Sequence, residues 1–158
     1  MILRRVTAGA IIRNSSNQIL LQRRSDDGFW SLPGGGIEAN ETVLECLKRE
    51  ILEETGWQVK ITNLPGIYSN PKTQTHTYSD GNMVQFVALV FEARALKVLQ
   101  EPDVETLEIR FFDLELMPEN LHQNNLEMIS DAFSKLPRPI LRQHENFNFS
   151  SFQGLVLI

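Results

Sequence analysis

The stretch GGIEANETVLECLKREILEETGW, residues 35–57, constrains this chain more than any other. Pro33, Gly34, Gly35 and Gly36 read as a loop, because this composition breaks regular structure. From residue 41 to 55 the pattern turns helical. Asn40 suits the N-cap, Glu41 is favourable in the first turn, and Gly56 is placed to stop the helix. At 100° per residue, Val43, Leu44, Leu47 and Ile51 fall within an arc of roughly 100°, a face that must pack on another element. Glu50, Glu53 and Glu54 lie beside that arc, spaced i, i+3 and i+4, so their carboxylates face one space.

Like charges at this spacing destabilise a helix by about 0.2–0.5 kcal/mol per pair. Two of the three also sit near the helix C-terminus, where the macrodipole disfavours anions. A hard divalent cation removes both penalties, and Mg²⁺ takes oxygen ligands while keeping waters and substrate phosphate oxygens in its shell. Arg49, next to Glu50, can hold a carboxylate through paired hydrogen bonds. A merely solvated acidic face is the alternative. The glycines favour the metal, because they let backbone carbonyls approach an ion and a phosphate approach the backbone.

Residues 6–13 and 18–24 are β-rich runs separated by a turn-forming Asn14-Ser15-Ser16-Asn17. A β pattern returns over 57–68. Residues 74–78 and 83–93 flank Ser79-Asp80-Gly81-Asn82, a hairpin signal. Residues 107–113 read as a further strand and 121–135 as a second helix, with Leu121, Leu126, Ile129 and Phe133 on one side. Pro137 and Pro139 stop it. The order implies a mixed sheet with helices on its faces, an α/β fold in one domain spanning residues 1–158.

The chain has 158 residues, enough for one domain with a sizeable core. No apolar run is long enough to cross a bilayer as a helix, and the segment 6–12 reads as a strand rather than a signal peptide. Cys46 is the only cysteine, so no intrachain disulfide forms and a reducing cytoplasm is the expected location. Net charge −5 argues against a duplex nucleic acid partner, whose phosphates call for a basic face. A small phosphorylated substrate remains compatible, since a bound cation reverses the local sign.

The segment 35–57 resembles the Nudix box: Gly, five residues, Glu, seven residues, Arg-Glu, an aliphatic, any residue, Glu-Glu, any residue, Gly and an apolar residue. Gly35, Glu41, Arg49, Glu50, Ile51, Glu53, Glu54, Gly56 and Trp57 fill those positions. Trp57 stands where an aliphatic residue is more usual. The resemblance implies an α/β/α sandwich around a mixed sheet, with the box forming loop-helix-loop. It implies that Glu50, Glu53 and Glu54 bind Mg²⁺ or Mn²⁺, with the Gly35 carbonyl a further ligand. Arg49 would orient the glutamates, and Glu41 would hold the loop to the helix. The implied reaction is attack by water on one phosphorus of a nucleoside diphosphate linked to another group, in a small nucleotide-like substrate. A catalytically silent nucleotide sensor is the alternative reading.

Within that reaction Glu50 is a candidate general base, and a later carboxylate completes the metal site. Glu105 is the first candidate for it and Glu108 the second, with Glu101 and Asp103 close by. Cys46 reads as a buried structural thiol, because no base accompanies it. His76 and Tyr78 are candidates for lining a substrate pocket. Phe111 and Phe112 could stack a base, but neighbours on a strand face opposite ways, so at most one can do so. Of Arg23 and Arg24, one is expected on substrate phosphate and the other in solvent. The tail, with Phe147, Phe149, Phe152 and residues 155–158, offers a homodimer contact or folds back on its own core.

Overall fold

The computed structural model describes residues 2–78 and 80–143. Both readings of the aromatic tail fall outside the described residues, as does Ser79 of the hairpin turn.

Strand β1 (Ile2–Arg13) runs parallel to β7 (Met83–Val98) along its whole length. Its other edge pairs with β4 (Gly34–Gly36) and, at Arg13, with the start of β2 (Ile19–Arg24). Strand β2 carries the short β3 (Trp30–Ser31) and β8 (Thr106–Phe112). On the far side, β5 (Trp57–Tyr68) pairs antiparallel with β7 and parallel with β9 (Ile140–Arg142), while β6 (Thr75–Thr77) makes the hairpin with β7. The sheet is mixed, as expected. No helix among the described residues is long and apolar enough to cross a membrane.

Helices α1 (Val43–Thr55) and α2 (Gln123–Phe133) cover opposite faces, completing an α/β/α sandwich. Strand periodicity explains why. On β1, Ala8, Ala10 and Ile12 join Leu20, Cys46, Leu47 and Ile51 in the core under α1. Ile11, from the alternate register, joins Ile19, Leu21, Val90, Met128 and Ile129 under α2.

Several expectations need correction. Residues 34–36 form a strand rather than a free loop, because their half-buried backbone finds partners on the open edge of β1. Asn40 does not cap the helix; it sits in a left-handed turn (φ 65°), and Thr42 caps instead, in a reciprocal capping box with Glu45. The helix therefore starts at Val43, leaving Glu41 in the preceding loop. Its buried stripe takes Cys46 in place of Leu44, which is 45% exposed. On α2, Leu126 points outward and the inner face is Asn125, Met128, Ile129 and Ala132. Leu121, Ile129 and Phe133 reach the core as expected, so Leu126 is the one departure from the predicted side.

Gly56 ends α1 as expected, in the left-handed conformation (φ 71°). The chain crossing it leaves no space: an added Cβ would stand 1.9 Å from the Gln100 carbonyl oxygen. Gly56→Ala should destabilise the protein by more than Thr42→Ala. The latter loses one cap, about 1 kcal/mol, whereas the former adds the collision to a left-handed penalty of about 1–2 kcal/mol. Urea denaturation of the two variants checks the order, and a near-neutral Gly56→Ala would contradict it.

Candidate active site

Strand β4 delivers its backbone to the carboxylates of α1. The Gly34 N–H donates to Glu54 Oε2 at 2.7 Å. A Cβ on Gly35 would lie 2.5 Å from the Glu50 carboxylate, so the missing side chain is the space that Glu50 occupies. Glu54 is 5% exposed, and burial pushes its carboxyl up to about 7. The Gly34 bond and the nearby Gln22 amide oppose that rise without cancelling it. Gln22 Oε1 accepts from Thr106 Oγ1 (2.7 Å), which turns its Nε2 toward Glu54, yet Nε2 makes no hydrogen bond of good geometry. Burial also raises the Glu50 carboxyl above its ordinary range; Arg49 opposes this, and Glu53 and Glu105 reinforce it.

Arg49 fans across the whole group. It donates to Glu50 Oε1 (2.8 Å), Glu53 Oε2 (3.1 Å), both oxygens of Glu41 (2.7 and 3.0 Å) and the Gly36 carbonyl (3.3 Å). Glu41 is thereby held well down, at about 2, by Arg49 first and the Glu38 N–H second. Among the described residues no three carboxylate, imidazole or thiol groups converge closely enough to hold an ion as they stand. Glu50 and Glu53 are drawn to Arg49, and Glu54 to Gly34. The Gly35 carbonyl lies on β4, in register with Ala8 of β1, and the Cys46 thiol makes a further long contact to it (3.7 Å). Cys46 itself is buried, and its thiol is pushed up to about 12, chiefly by burial, so it is no nucleophile.

The two later carboxylates part company. Glu105 lines a cavity of about 360 Å³ together with Glu54, Gln22 and Arg24. Glu108 turns to Arg110 and Arg23 instead. Asp103 closes a local turn onto the Glu105 N–H (3.0 Å), and Glu101 is exposed. Arg24 reaches the cavity, bonded to Asp26 at 2.5 and 2.9 Å, while Arg23 spends its charge on Glu108.

A neighbouring cavity of about 440 Å³ is bounded by His76 and Tyr78, whose rings stack edge-on at 4.6 Å. The aromatic pair on β8 is corrected: neither lines the cavities beside the carboxylates. Phe111 packs edge-on against Trp57 in one core and Phe112 against Trp30 in the other, because each face of β8 is already covered. Sequence reading missed Gln22, Ser31, Gln74 and Asn125, all buried polar residues near these cavities. Gln22 directly follows the apolar run Ile19-Leu20-Leu21 and precedes two arginines, so its burial leaves no signal in the pattern.

The NUDIX domain family model matches residues 3–132. The putative 8-oxo-dGTP diphosphatase of Bacillus subtilis is 46% identical over 70 residues, 43% of this chain and 47% of that protein. The ADP-ribose pyrophosphatase of Methanocaldococcus jannaschii is 31% identical over 115 residues, covering 72% of this chain and 64% of its own length. The match thus spans about half of the first relative and just under two thirds of the second. The crystal structure of a NUDIX hydrolase from Nitrosomonas europaea superposes with TM-score 0.70 at 27% identity, covering 89% of this chain and 78% of that one.

The raised Glu54 carboxyl carries a stability signature in metal-free protein. Its folded pKa, about 7, lies above the ordinary 4.5, so the folded state holds the proton more tightly. That contribution is complete below pH ~4.5 and is lost as pH rises through ~7, a fall on the order of 3 kcal/mol. In EDTA, thermal unfolding of the wild type should weaken between pH 5 and 8, and Glu54→Gln should flatten that slope. Equal slopes would show that Glu54 is not the desolvated acid the geometry describes.

Proposed function

The chain belongs to the NUDIX domain family, and from that premise we propose that it hydrolyses a phosphoric anhydride bond in a small nucleotide-like substrate, using a divalent cation. The observation that carries this is the intact 23-residue motif folded as a unit, in which Gly34 engages Glu54 and Gly35 admits Glu50.

The residues fit such a cation. The donors are hard carboxylate oxygens with a backbone carbonyl beside them, and Glu54 is a buried acid with no positive partner in contact among the described residues. Glu50, Glu53 and Glu54 would hold it, with the Gly35 carbonyl and Glu105 in reach of the same space. Mg²⁺ suits an all-oxygen set that also uses substrate phosphate oxygens, and Mn²⁺ is the natural substitute. When bound, the ion supplies Lewis-acid charge against the phosphates and lowers the pKa of a water.

The chain's own groups do the remaining work. Arg49 is a positioning residue: it holds Glu50 and Glu53 to one side of the helix and ties both to the loop through Glu41 and Gly36. Glu50, half-buried with its carboxyl raised, is the proton acceptor for the attacking water, with Glu105 as the alternative base across the cavity. Arg24 faces the same cavity and is placed to meet a phosphate once it releases Asp26.

A phosphate-release assay with Mg²⁺, against nucleoside triphosphates, nucleotide sugars, ADP-ribose and dinucleoside polyphosphates, tests the reading. Turnover should vanish in EDTA. Glu50→Gln, Glu53→Gln and Glu54→Gln should each lower kcat by about a hundredfold or more, the scale of losing one transition-state charge contact. Silence across the panel in a folded protein that still binds Mg²⁺ would point to a nucleotide-binding module without turnover. The later carboxylate has its own contrast. Glu105→Gln should cost at least about tenfold in kcat, whereas Glu108→Gln should leave it near wild type; the reverse order would move the role to Glu108.

A further inference from the structure

Glu54 is served differently from its neighbours. Glu50 and Glu53 lean on the Arg49 guanidinium, whereas Glu54 takes the Gly34 N–H at 2.7 Å and faces the Gln22 amide, two neutral groups. Burial raises the Glu54 carboxyl, and Gln22 is the first group to oppose that rise, ahead of Gly34. Gln22 is 1% exposed and lines the 360 Å³ cavity with Glu54 and Glu105. Its Nε2 is buried and has no hydrogen bond of good geometry among the described residues. A buried donor without a full partner is disfavoured, so a polar side chain kept in this state calls for a reason beyond packing.

The other end of the amide is held by β8. Thr106 Oγ1 lies 2.7 Å from Gln22 Oε1. A hydroxyl can give or take, so this contact alone would admit the amide either way round. Glu54 decides: an ionised carboxylate only accepts, so the N–H₂ faces it and the Gln22 carbonyl accepts from Thr106. An irregularity in the ladder brings Thr106 to this place. Gln22 pairs with Ile109 and Arg23 with Glu108, but Arg24 pairs with Thr106, which makes Leu107 the extra residue of a β-bulge. In a regular strand Thr106 would share the face of Glu108, opposite to Gln22. The bulge turns it onto the face of Gln22, the kind of re-aiming that bulges provide beside active sites.

We propose that Thr106 and Gln22 form a neutral relay that positions Glu54 for the cation, with Gln22 as the positioning residue and Thr106 acting through it. A guanidinium or ammonium at this place would orient the carboxylate but also neutralise it, competing with the metal for the same charge. An amide supplies direction and leaves the negative charge to the ion. An ionised carboxylate has about four lone-pair sites, so Gly34, Gln22 and a cation can share it. The inference rests on the metal-dependent hydrolase reading above and adds how its buried carboxylate is held.

The test is Mn²⁺ titration of the substrate-free protein by electron paramagnetic resonance, beside kcat and KM on whichever substrate of the panel above turns over. Gln22→Leu should weaken Mn²⁺ binding by about tenfold or more, the scale of losing an orienting partner of a metal ligand. At saturating metal its kcat should fall while KM stays near wild type. Thr106→Val should weaken Mn²⁺ binding in the same direction, and Thr106→Ser, which keeps the hydroxyl, should restore it. The double variant Gln22→Leu with Thr106→Val should bind Mn²⁺ no more weakly than Gln22→Leu alone, because one residue works through the other. Gln22 is buried, so if Gln22→Leu does not fold, the half-buried Thr106 pair decides. Wild-type Mn²⁺ affinity in folded Gln22→Leu or in Thr106→Val, or additive losses in the double variant, overturns the relay; turnover that stops in EDTA then still upholds the hydrolase reading. Weakened Mn²⁺ binding in the variants of a wild type that turns nothing over keeps the relay and sinks the hydrolase reading. A wild type that binds no Mn²⁺ without substrate overturns the relay as well.

Discussion

Arg49 is the residue on which the rest of the site depends. Three carboxylates at i, i+3 and i+4 repel one another, and Glu41 adds a fourth from the loop. One guanidinium answers Glu41, Glu50 and Glu53, and its remaining reach goes to the Gly36 carbonyl. Only a planar fork with donors on several edges can do this; a lysine at the same place would be a point charge. The consequence is mechanical as well as electrostatic. Loop, strand β4 and helix α1 are joined at a single side chain, so the carboxylates are held in place before any ligand arrives.

Burial then divides the acids by role. Glu53, whose side chain is 47% exposed, stays in water and shares the arginine. Glu54 is inside, with a backbone N–H as its contact and its carboxyl raised by desolvation. A buried ionised carboxylate is costly unless a counter-charge reaches it. The helix thus sets an unfavourable acid against the glycine strand, and the metal-binding reading gives that acid a physical reason. The stability that the fold gives up there is returned when a cation binds the native state alone.

Much of this was legible because the box is local. Gly35, Glu41, Arg49, Glu50, Glu53, Glu54 and Gly56 sit on one continuous segment, and helical geometry alone puts the glutamates on one side. The strands over 57–68 and around Asp80-Gly81 were likewise visible in β pattern and turn chemistry. Long-range contacts were not. The cap moved from Asn40 to Thr42 because a turn with positive φ at Asn40 separates the loop from the helix. Phe111 and Phe112 went to two cores because β8 has cover on both faces, which no single strand reveals. Glu105 and Glu108 differ by three positions, and only the tertiary structure, which sets Glu108 opposite Arg23 on β2 and Glu105 at the cavity with Glu54, shows which one faces the acids. Gln74 and Asn125 come to one cavity through tertiary packing and leave no mark in spacing.

The segment from Ser31 to Gly35 ties the two neighbouring cavities to one strand. In an extended chain the N–H groups of alternate residues point the same way. The Leu32 N–H holds Asn125, and the Gly34 N–H holds Glu54. Between them, Pro33 turns its carbonyl to the opposite side, where the Ala10 N–H meets it at 3.0 Å. Proline has no N–H to leave unpaired on that side. One short run therefore sets the Asn125 amide of one cavity and the buried acid of the other. A shift of this run along β1 would misplace both at once, so the two cavities share one register.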